Sequence, residues 1–107
     1  MNRKVLNYFR CMKTQEIISA LRTEMPNLKS HFGVEEIGLF GSAARDEATP
    51  GSDIDLLVKL QQPSYLKLAG LLNYLERLLH CKVDITTKHN HLSLRFLKSI
   101  ERDIVYA

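Results

Sequence analysis

Apolar residues recur every three or four positions between residues 14 and 32, a spacing that predicts an amphipathic helix. Its apolar face consists of Ile17, Ile18, Leu21, Met25, Leu28 and Phe32. Pro26 falls inside this pattern and predicts a kink or a break, because proline lacks the N–H that a helix interior requires. Gly33 directly follows the last apolar position and suits a left-handed C-terminal cap.

Three shorter segments have the composition and alternation of β-strands. These segments are residues 35–40, 53–60 and 82–87. Residues 42–48 follow the first strand and fit a helical turn. Residues 49–52 then read Thr-Pro-Gly-Ser, which is a strong turn signal between two strands.

Two leucine-rich segments, residues 65–79 and about 92–102, predict further helices. The first is expected to be well buried through leucines that include Leu66, Leu71 and Leu75. The core candidates of the second are Leu94, Leu97 and Ile100, and the C-terminus is expected to dock through Ile104 and Val105. The predicted fold is therefore α/β (α+β), a small mixed sheet flanked by helices on one face, with its carboxylate-bearing face open.

A length of 107 residues suits one domain, which we place at residues 13–107, with residues 1–12 as a flexible N-terminal extension. The net charge is +3 and the basic residues are scattered, so binding to nucleic acid is weakly supported. Cys11 and Cys81 lack metal-ligand spacing and are expected to be reduced thiols. No run approaches the ~20 apolar residues of a membrane span. These features favour a cytoplasmic protein.

The candidate chemistry begins with Asp53 and Asp55. Ile54, Leu56 and Val58 share one face of the second strand, so the two aspartates share the other face. Residues at i and i+2 of a strand lie roughly 6.5–7 Å apart, which lets both carboxylates meet one hard cation such as Mg²⁺. Asp84 has the same placement on the third strand and would join them if the two strands are neighbours.

Gly41 and Ser42 supply a second candidate element. They follow a hydrophobic strand at a turn, eleven residues before Asp53. Glycine lets the backbone approach a ligand closely, and the backbone N–H groups and the Ser42 hydroxyl can bind phosphate oxygens. Together with the aspartates, this pattern favours metal-assisted phosphoryl chemistry, with two metal ions ~3.5–4 Å apart.

Two segments carry a resemblance to a known family. Residues 39–45 read Leu-Phe-Gly-Ser-Ala-Ala-Arg, and residues 50–58 read Pro-Gly-Ser-Asp-Ile-Asp-Leu-Leu-Val. With residues 82–84, Lys-Val-Asp, the chain resembles the polymerase-β-like nucleotidyltransferases, and more closely the minimal nucleotidyltransferases, known as MNT proteins. The similarity covers roughly residues 13–106.

The resemblance implies Mg²⁺-dependent transfer of a nucleotidyl group, usually AMP from ATP, to a hydroxyl acceptor. MNT proteins are commonly antitoxins, and in that family the MNT protein can silence its partner HEPN-domain toxin by adenylylating a tyrosine. It implies that Gly41 and Ser42 bind the phosphates and that Asp53 and Asp55 bind the metals. Asp84 would complete the site of the catalytic metal and help to remove the proton of the acceptor hydroxyl. Arg45 matches a family arginine and would steady either the triphosphate or its loop.

Two positions depart from the family pattern Gly-Ser-Arg-Ala-Arg-Gly. Ala43 stands in place of the first arginine, and Asp46 stands in place of the last glycine. The first change removes a phosphate contact, and the second adds negative charge near a polyanion unless the side chain points outward. An antitoxin that acts by contact alone, with a vestigial site, therefore stays open as an alternative. So do a homo-oligomer and, more weakly, a nucleic-acid-binding domain.

Two tyrosines are further candidates. Tyr65 and Tyr74 lie on the predicted leucine-rich helix and could stack a base or contact a partner. Tyrosine on an amphipathic helix is more often a packing residue. The sequence leaves both readings open.

Overall fold

A computed structural model describes residues 12–49, 51–89 and 92–107. The elements are helix α1 (Thr14–Phe32), strands β1 (Val34–Phe40) and β2 (Ile54–Leu60), helix α2 (Tyr65–Leu79), strand β3 (Val83–Thr87), helix α3 (Leu94–Ile100) and strand β4 (Val105–Tyr106). The first six follow the predicted order, and β4 was not predicted. Residues 1–11 of the extension predicted for residues 1–12 lie outside the described residues, and Met12, its last residue, packs against the core.

The strands form one mixed sheet in the order β3-β2-β1-β4. Strand β1 is antiparallel to both of its neighbours, and β2 runs parallel to β3. Parallel neighbours need a crossover connection, and α2 supplies it. The predicted mixed sheet is thus confirmed. The docking expected of Val105 is a strand pairing, in which Val105 lies opposite Leu39 of β1.

The main core lies between one face of the sheet and the helices α1 and α2. Ile37 and Leu39 of β1 pair with Val58 and Leu56 of β2, so all four side chains share this face. They belong to one buried cluster with leucines of both helices. Apolar residues that alternate along the strands, and those that recur every 3.6 positions along the helices, therefore pack into a single apolar layer.

Helix α1 is continuous through Pro26, so the break that the proline permitted does not occur. Leu21 and Leu28, on either side of it, are fully buried, and this packing holds both halves of the helix against the core. Gly33 has a φ of 68° and donates its N–H to the carbonyl of Lys29 at 3.0 Å. The predicted left-handed cap is confirmed.

Two predicted core leucines are exposed. Leu66 is 88% exposed and Leu94 is 76% exposed. Leu66 is the second residue of α2, and it lies nearly opposite the buried Leu75 when positions are counted at 3.6 residues per turn. Leu94 is the first residue of α3, which ends at Ile100 and is shorter than predicted. Leucine content alone therefore overestimated burial at both helix starts.

The opposite face of the sheet is partly covered. The rings of Phe40 and Phe96 of α3 meet edge-to-face at 5.7 Å, and Leu57 is buried. Ile104 lies over Gly38, where a Cβ would come within 2.8 Å of its Cδ1 atom. The open face that we predicted is therefore restricted to the end of the sheet that carries the aspartates.

The sequence predicted that the chain lacks a membrane-spanning segment and that Cys11 and Cys81 are reduced thiols. Across the three described ranges, each helix is too short or too polar to cross a bilayer. The Sγ atom of Cys81 donates to the carbonyl of Ser52 at 3.5 Å, and Cys11 lies outside the described residues.

The core assignment predicts that Leu71→Ala destabilises the protein by about 2–5 kcal/mol, because it leaves a cavity at a fully buried position. Leu66→Ala, on the same helix, is the matched control and is expected to change stability by less than about 0.5 kcal/mol. Urea denaturation followed by circular dichroism measures both. Equal midpoints for the two variants would contradict the assignment.

Candidate functional site

Strand β2 orients the first two candidate carboxylates. The side chain of Ile54 enters the core, so Asp55 lies on the other face, where it is half-buried. Asp53 comes directly before the strand and is exposed. A turn holds this strand start, because the N–H of Ser52 donates to the carbonyl of Thr49 at 2.9 Å.

Strand β3 brings the third carboxylate beside the second. In the parallel register of β2 and β3, Asp55 lies directly opposite Asp84, and Ile54 lies opposite Val83. On its other side, Asp55 lies opposite Phe40 of β1. The face thus carries the row Phe40, Asp55 and Asp84 across three strands. The sequence predicted this neighbourhood only on the condition that β2 and β3 are adjacent.

The electrostatics reflect this crowding. The pKa of Asp55 is raised from 3.8, first by burial, then by the negative charge of Asp84, and then by that of Asp53. Each cause disfavours a second or third negative charge on this face. A bound cation would remove the repulsion.

Gly41 closes the site from the side of β1. Its φ is 76°, in the left-handed region that glycine adopts most readily. A Cβ at this position would overlap the Oδ2 atom of Asp55. The backbone therefore touches the central carboxylate, and only glycine permits the contact without displacing it.

The turn after Gly41 is compact. The carbonyl of Ser42 accepts from the N–H groups of Arg45 at 3.2 Å and Glu47 at 2.9 Å. This confirms the predicted helical turn in the part of residues 42–48 that leads away from the strand. Arg45 pairs with Glu47 at 3.0 Å and with Asp103 at 3.3 Å. These ion pairs tie the turn to the C-terminal segment, and they favour the loop-steadying role of Arg45 over a phosphate contact.

The two departures from the family pattern have structural explanations. Asp46 has a φ of 58°, a conformation in which glycine costs least. Its Oδ1 atom accepts from the N–H of Thr14 at 3.3 Å, so its charge meets the positive start of α1. Ala43 is 2% exposed and belongs to the core cluster, and its carbonyl accepts from the Thr14 hydroxyl at 2.5 Å. Both residues anchor the turn to α1.

The carboxylates of the site suit Mg²⁺ as a partial shell of ligands. Among the described residues, no three His, Cys, Asp or Glu side chains converge closely enough to hold a metal ion unaided. The carboxylates of Asp55 and Asp84 share one face, Asp53 is near enough for its charge to act on Asp55, and the oxygens of all three are the ligand type that Mg²⁺ prefers. Water and phosphate oxygens usually complete its octahedron, so a partial protein shell fits this ion.

Sequence reasoning missed several contacts that shape the site. The partners Thr14 and Asp103 lie 32 and 58 residues from the turn residues they meet, and no local pattern signals either contact. The sequence also did not predict the contact between the rings of Phe40 and Phe96. Tyr74 proves to be a packing residue, since its hydroxyl donates to Glu24 of α1. Tyr65 remains 93% exposed.

A family model described as "Nucleotidyltransferase domain" matches residues 18–106. The chain belongs to the nucleotidyltransferase family. A protein adenylyltransferase MntA of Thermococcus cleftensis is 43% identical over 93 residues, which cover 86% of this chain and 93% of that protein. A Methanocaldococcus jannaschii protein, provisionally named a protein adenylyltransferase, is 46% identical over 97 residues, covering 89% of this chain and 99% of its own.

Solved structures agree with the family. A provisionally named minimal nucleotidyltransferase is 33% identical, covers 88% of this nucleotidyltransferase and 95% of its own chain, and has a TM-score of 0.71. Two structures of lower identity share the fold. A toxin–antitoxin structure with AMP-PNP is 22% identical with a TM-score of 0.61, covering 89% of this chain and 72% of its own.

The second is a complex of an AMPylated Shewanella oneidensis HEPN toxin with an MNT antitoxin. It is 21% identical with a TM-score of 0.52, and the match covers 96% of this chain and 70% of that one. Together with the family model, these matches confirm the resemblance to minimal nucleotidyltransferases that residues 39–45 and 50–58 carry.

The contact between Gly41 and Asp55 yields a prediction for Gly41→Ala. We expect a loss of stability of about 1–2 kcal/mol, because alanine disfavours the left-handed conformation and its Cβ must displace the carboxylate. Gly51→Ala is the control, since it also has a positive φ but open space around its Cβ. Thermal melting compares them, and an equal or larger loss for Gly51→Ala would contradict the role of the Asp55 contact.

The raised pKa of Asp55 yields a prediction on pH. Folded protein binds more protons than unfolded protein between the ordinary pKa of 3.8 and the raised value, so the free energy of unfolding falls as pH rises through that window. Without metal, Asp55→Asn is therefore expected to melt higher than the wild type near pH 7, by a margin that shrinks toward ~pH 3. Calorimetry in a chelating buffer measures this margin. A margin that does not depend on pH would contradict the assignment.

Proposed function

We propose that this nucleotidyltransferase is a Mg²⁺-dependent protein adenylyltransferase that transfers AMP from ATP to a tyrosine of a HEPN-type toxin and thereby acts as its antitoxin. The observation that carries the proposal is the pairing of Asp55 with Asp84 across β2 and β3, beside the Gly41 turn. This arrangement combines oxygen ligands for a metal with a backbone that permits close approach of a phosphate chain.

ATP is the proposed donor. The relatives are named protein adenylyltransferases, and a structural neighbour contains AMP-PNP. In this chain, the hydroxyl of Ser42 and the backbone N–H groups of the turn would bind the terminal phosphate oxygens. The ion pairs of Arg45 keep that turn in place.

The transfer conserves atoms and charge in a single displacement. The acceptor oxygen attacks the α-phosphorus, the bond from that phosphorus to the bridging oxygen of the β-phosphate breaks, and pyrophosphate leaves. The proton of the acceptor hydroxyl passes to the carboxylate of Asp84. Two Mg²⁺ ions, held by Asp53, Asp55 and Asp84, would neutralise the triphosphate. The chain itself contributes orientation, which accounts for much of the rate in such reactions.

The acceptor is proposed to be a protein, because the site is shallow and open. Asp53 and Asp84 are exposed, and a chain of 107 residues has little surface with which to enclose a large substrate. A neighbour of the same fold is an MNT antitoxin in complex with an AMPylated HEPN toxin, which supports this class of partner. We propose that the reaction occurs in the cytoplasm, where ATP is available.

A second candidate is an antitoxin that inhibits by contact alone. The ion pairs of Arg45 favour it, since the guanidinium is engaged by Glu47 and Asp103. The row of paired aspartates argues for catalysis, because an inhibitor that acts by contact gains nothing from repulsion at that face.

One assay separates the two candidates. With a HEPN partner, Mg²⁺ and ATP labelled at the α-phosphate, wild-type protein is expected to transfer label, and Asp53→Ala is expected to reduce transfer at least about 100-fold. The loss follows from the several kcal/mol that metal charge stabilisation contributes. Glu101→Gln, an exposed acidic position on α3's C-terminal side, is the control and is expected to retain activity.

Toxin inhibition is scored in the same reactions. Inhibition that survives Asp53→Ala without label transfer would establish the contact inhibitor and overturn the enzyme. A melting temperature that neither Mg²⁺ nor Mn²⁺ shifts, with or without nucleotide, would contradict the metal site, because a ligand that binds only the folded state must stabilise it.

A further inference from the structure

Strand β3 is the outer strand of the sheet on the side of the site. The backbone N–H and C=O groups of its even-numbered residues point toward β2. The carbonyl of Lys82 accepts from the N–H of Ile54 at 2.9 Å, and the N–H of Lys88 donates to the carbonyl of Val58 at 2.8 Å. In a parallel pair, the intervening residues direct their backbone groups to the other side. The N–H and C=O groups of Ile85 and Thr87 therefore point outward from the sheet.

The first outward N–H group of β3 is already hydrogen-bonded within the chain. The N–H of Val83, the first outward group, donates to the carboxylate of Glu76 at 3.1 Å. Among the described residues, none accepts a hydrogen bond from the next outward N–H groups, those of Ile85 and Thr87. Such an edge is a template for another strand. The described residues thus cover the start of the edge and leave the part beside Asp84 open.

An apolar groove runs along this same edge. It has a volume of about 350 Å³ and lies between Tyr65, Leu68 and Leu72 of α2 and Asp84 and Ile85 of β3. Asp84 thus belongs both to the carboxylate row and to the wall of the groove. A segment that fills the groove comes directly to the third carboxylate of the candidate site.

We propose that the β3 edge binds the protein acceptor as an added β-strand, with its hydroxyl-bearing residue on the Asp84 face and the apolar residues on both sides of it in the groove. This inference rests on the proposed function and names how its acceptor is recognised. Successive side chains of a strand alternate between faces, so one strand satisfies both surfaces. The acceptor motif is therefore apolar–hydroxyl–apolar in extended conformation.

The spacing selects a long side chain. An added strand would lie about 4.8 Å from β3 on its outer side. Strand β2, which carries Asp55, lies about 4.8 Å from β3 on its inner side. A tyrosine on the added strand extends across Asp84 toward Asp55, whereas the hydroxyl of a serine stays near its own strand. The tyrosine ring is also apolar along its length, which suits a face already bearing Phe40 and Phe96.

Charge favours an acceptor over a second copy of this chain. The face beside the edge carries Asp84 directly opposite Asp55 in the β2–β3 register, and Asp53 directly precedes β2. Pairing β3 with the β3 of another copy would add the same three carboxylates. A strand with lysine or arginine near its hydroxyl residue would reduce the repulsion.

The test uses the peptide Lys-Thr-Val-Tyr-Val-Thr-Lys as acceptor, with Mg²⁺ and ATP. Tyr65→Ser removes a groove wall, and Thr87→Pro removes an outward N–H at an edge that tolerates proline. Each is expected to raise the acceptor KM about 10-fold or more, while the KM for ATP stays unchanged. Leu66→Ser is the matched control, because Leu66 is 88% exposed beside Tyr65 but does not line the groove. It is expected to leave the acceptor KM within about twofold of wild type.

Binding is measured separately with the phenylalanine version of the peptide, which cannot accept AMP. Amide signals of Ile85 and Thr87 are expected to shift in NMR spectra on binding, and exchanging both valines for glutamate is expected to abolish the shift. These readouts do not need a variant protein and do not need catalysis. Melting curves of Thr87→Pro verify that the variant is folded.

The outcomes separate the two proposals. Peptide binding at β3 without AMP transfer would keep the docking edge and overturn the proposed activity. AMP transfer with an acceptor KM unaffected by Tyr65→Ser and Thr87→Pro would keep the activity and overturn the docking edge. Failure of the peptide to bind also overturns the docking edge, and so does a dimer that forms in sedimentation experiments and dissociates in Thr87→Pro.

Discussion

The parallel pairing of β2 with β3 is the constraint on which the rest of the site depends. Its register sets Asp55 opposite Asp84 while it sets Ile54 opposite Val83 in the core. A shift by one residue would place the carboxylates in the apolar layer and the apolar side chains in water. Burial of the hydrophobic face therefore enforces an arrangement of like charges that electrostatics alone would oppose.

The turn after β1 is held from several directions. Ala43 anchors it in the core, Asp46 and Thr14 join it to the start of α1, and Arg45 joins it to Asp103. These contacts come from the beginning, the middle and the end of the described chain. A loop fixed in this way loses little conformational freedom when it binds a phosphate chain, and this reduces the cost of binding.

Most of the fold was predictable from the sequence because periodicity reports burial directly. The helix at residues 14–32, the alternation around Asp55 and the cap at Gly33 are each encoded within a few residues. The exposed Leu66 and the continuous helix through Pro26 were not, since both depend on what lies across the core. Strand β4 has two residues, too few for alternation to show.

The residues of the candidate site also differ in how far the local sequence predicted them. Asp53, Asp55, Gly41 and Ser42 stand in a local motif, whereas the approach of Asp84 required knowledge of strand order. The contact of Asp46 with Thr14 could not be predicted locally, because it joins residues 32 positions apart.

The chain separates the parts of the site by segment. The turn and the central aspartates come from residues 34–60, and the outer strand with its neighbouring helix comes from residues 65–87. Under the docking proposed for β3, substitutions in the second segment would change which acceptor binds and would leave the proposed phosphate-binding turn unchanged. On that proposal, two copies of this domain would diverge in their acceptors through the second segment while the first kept the same turn and central aspartates.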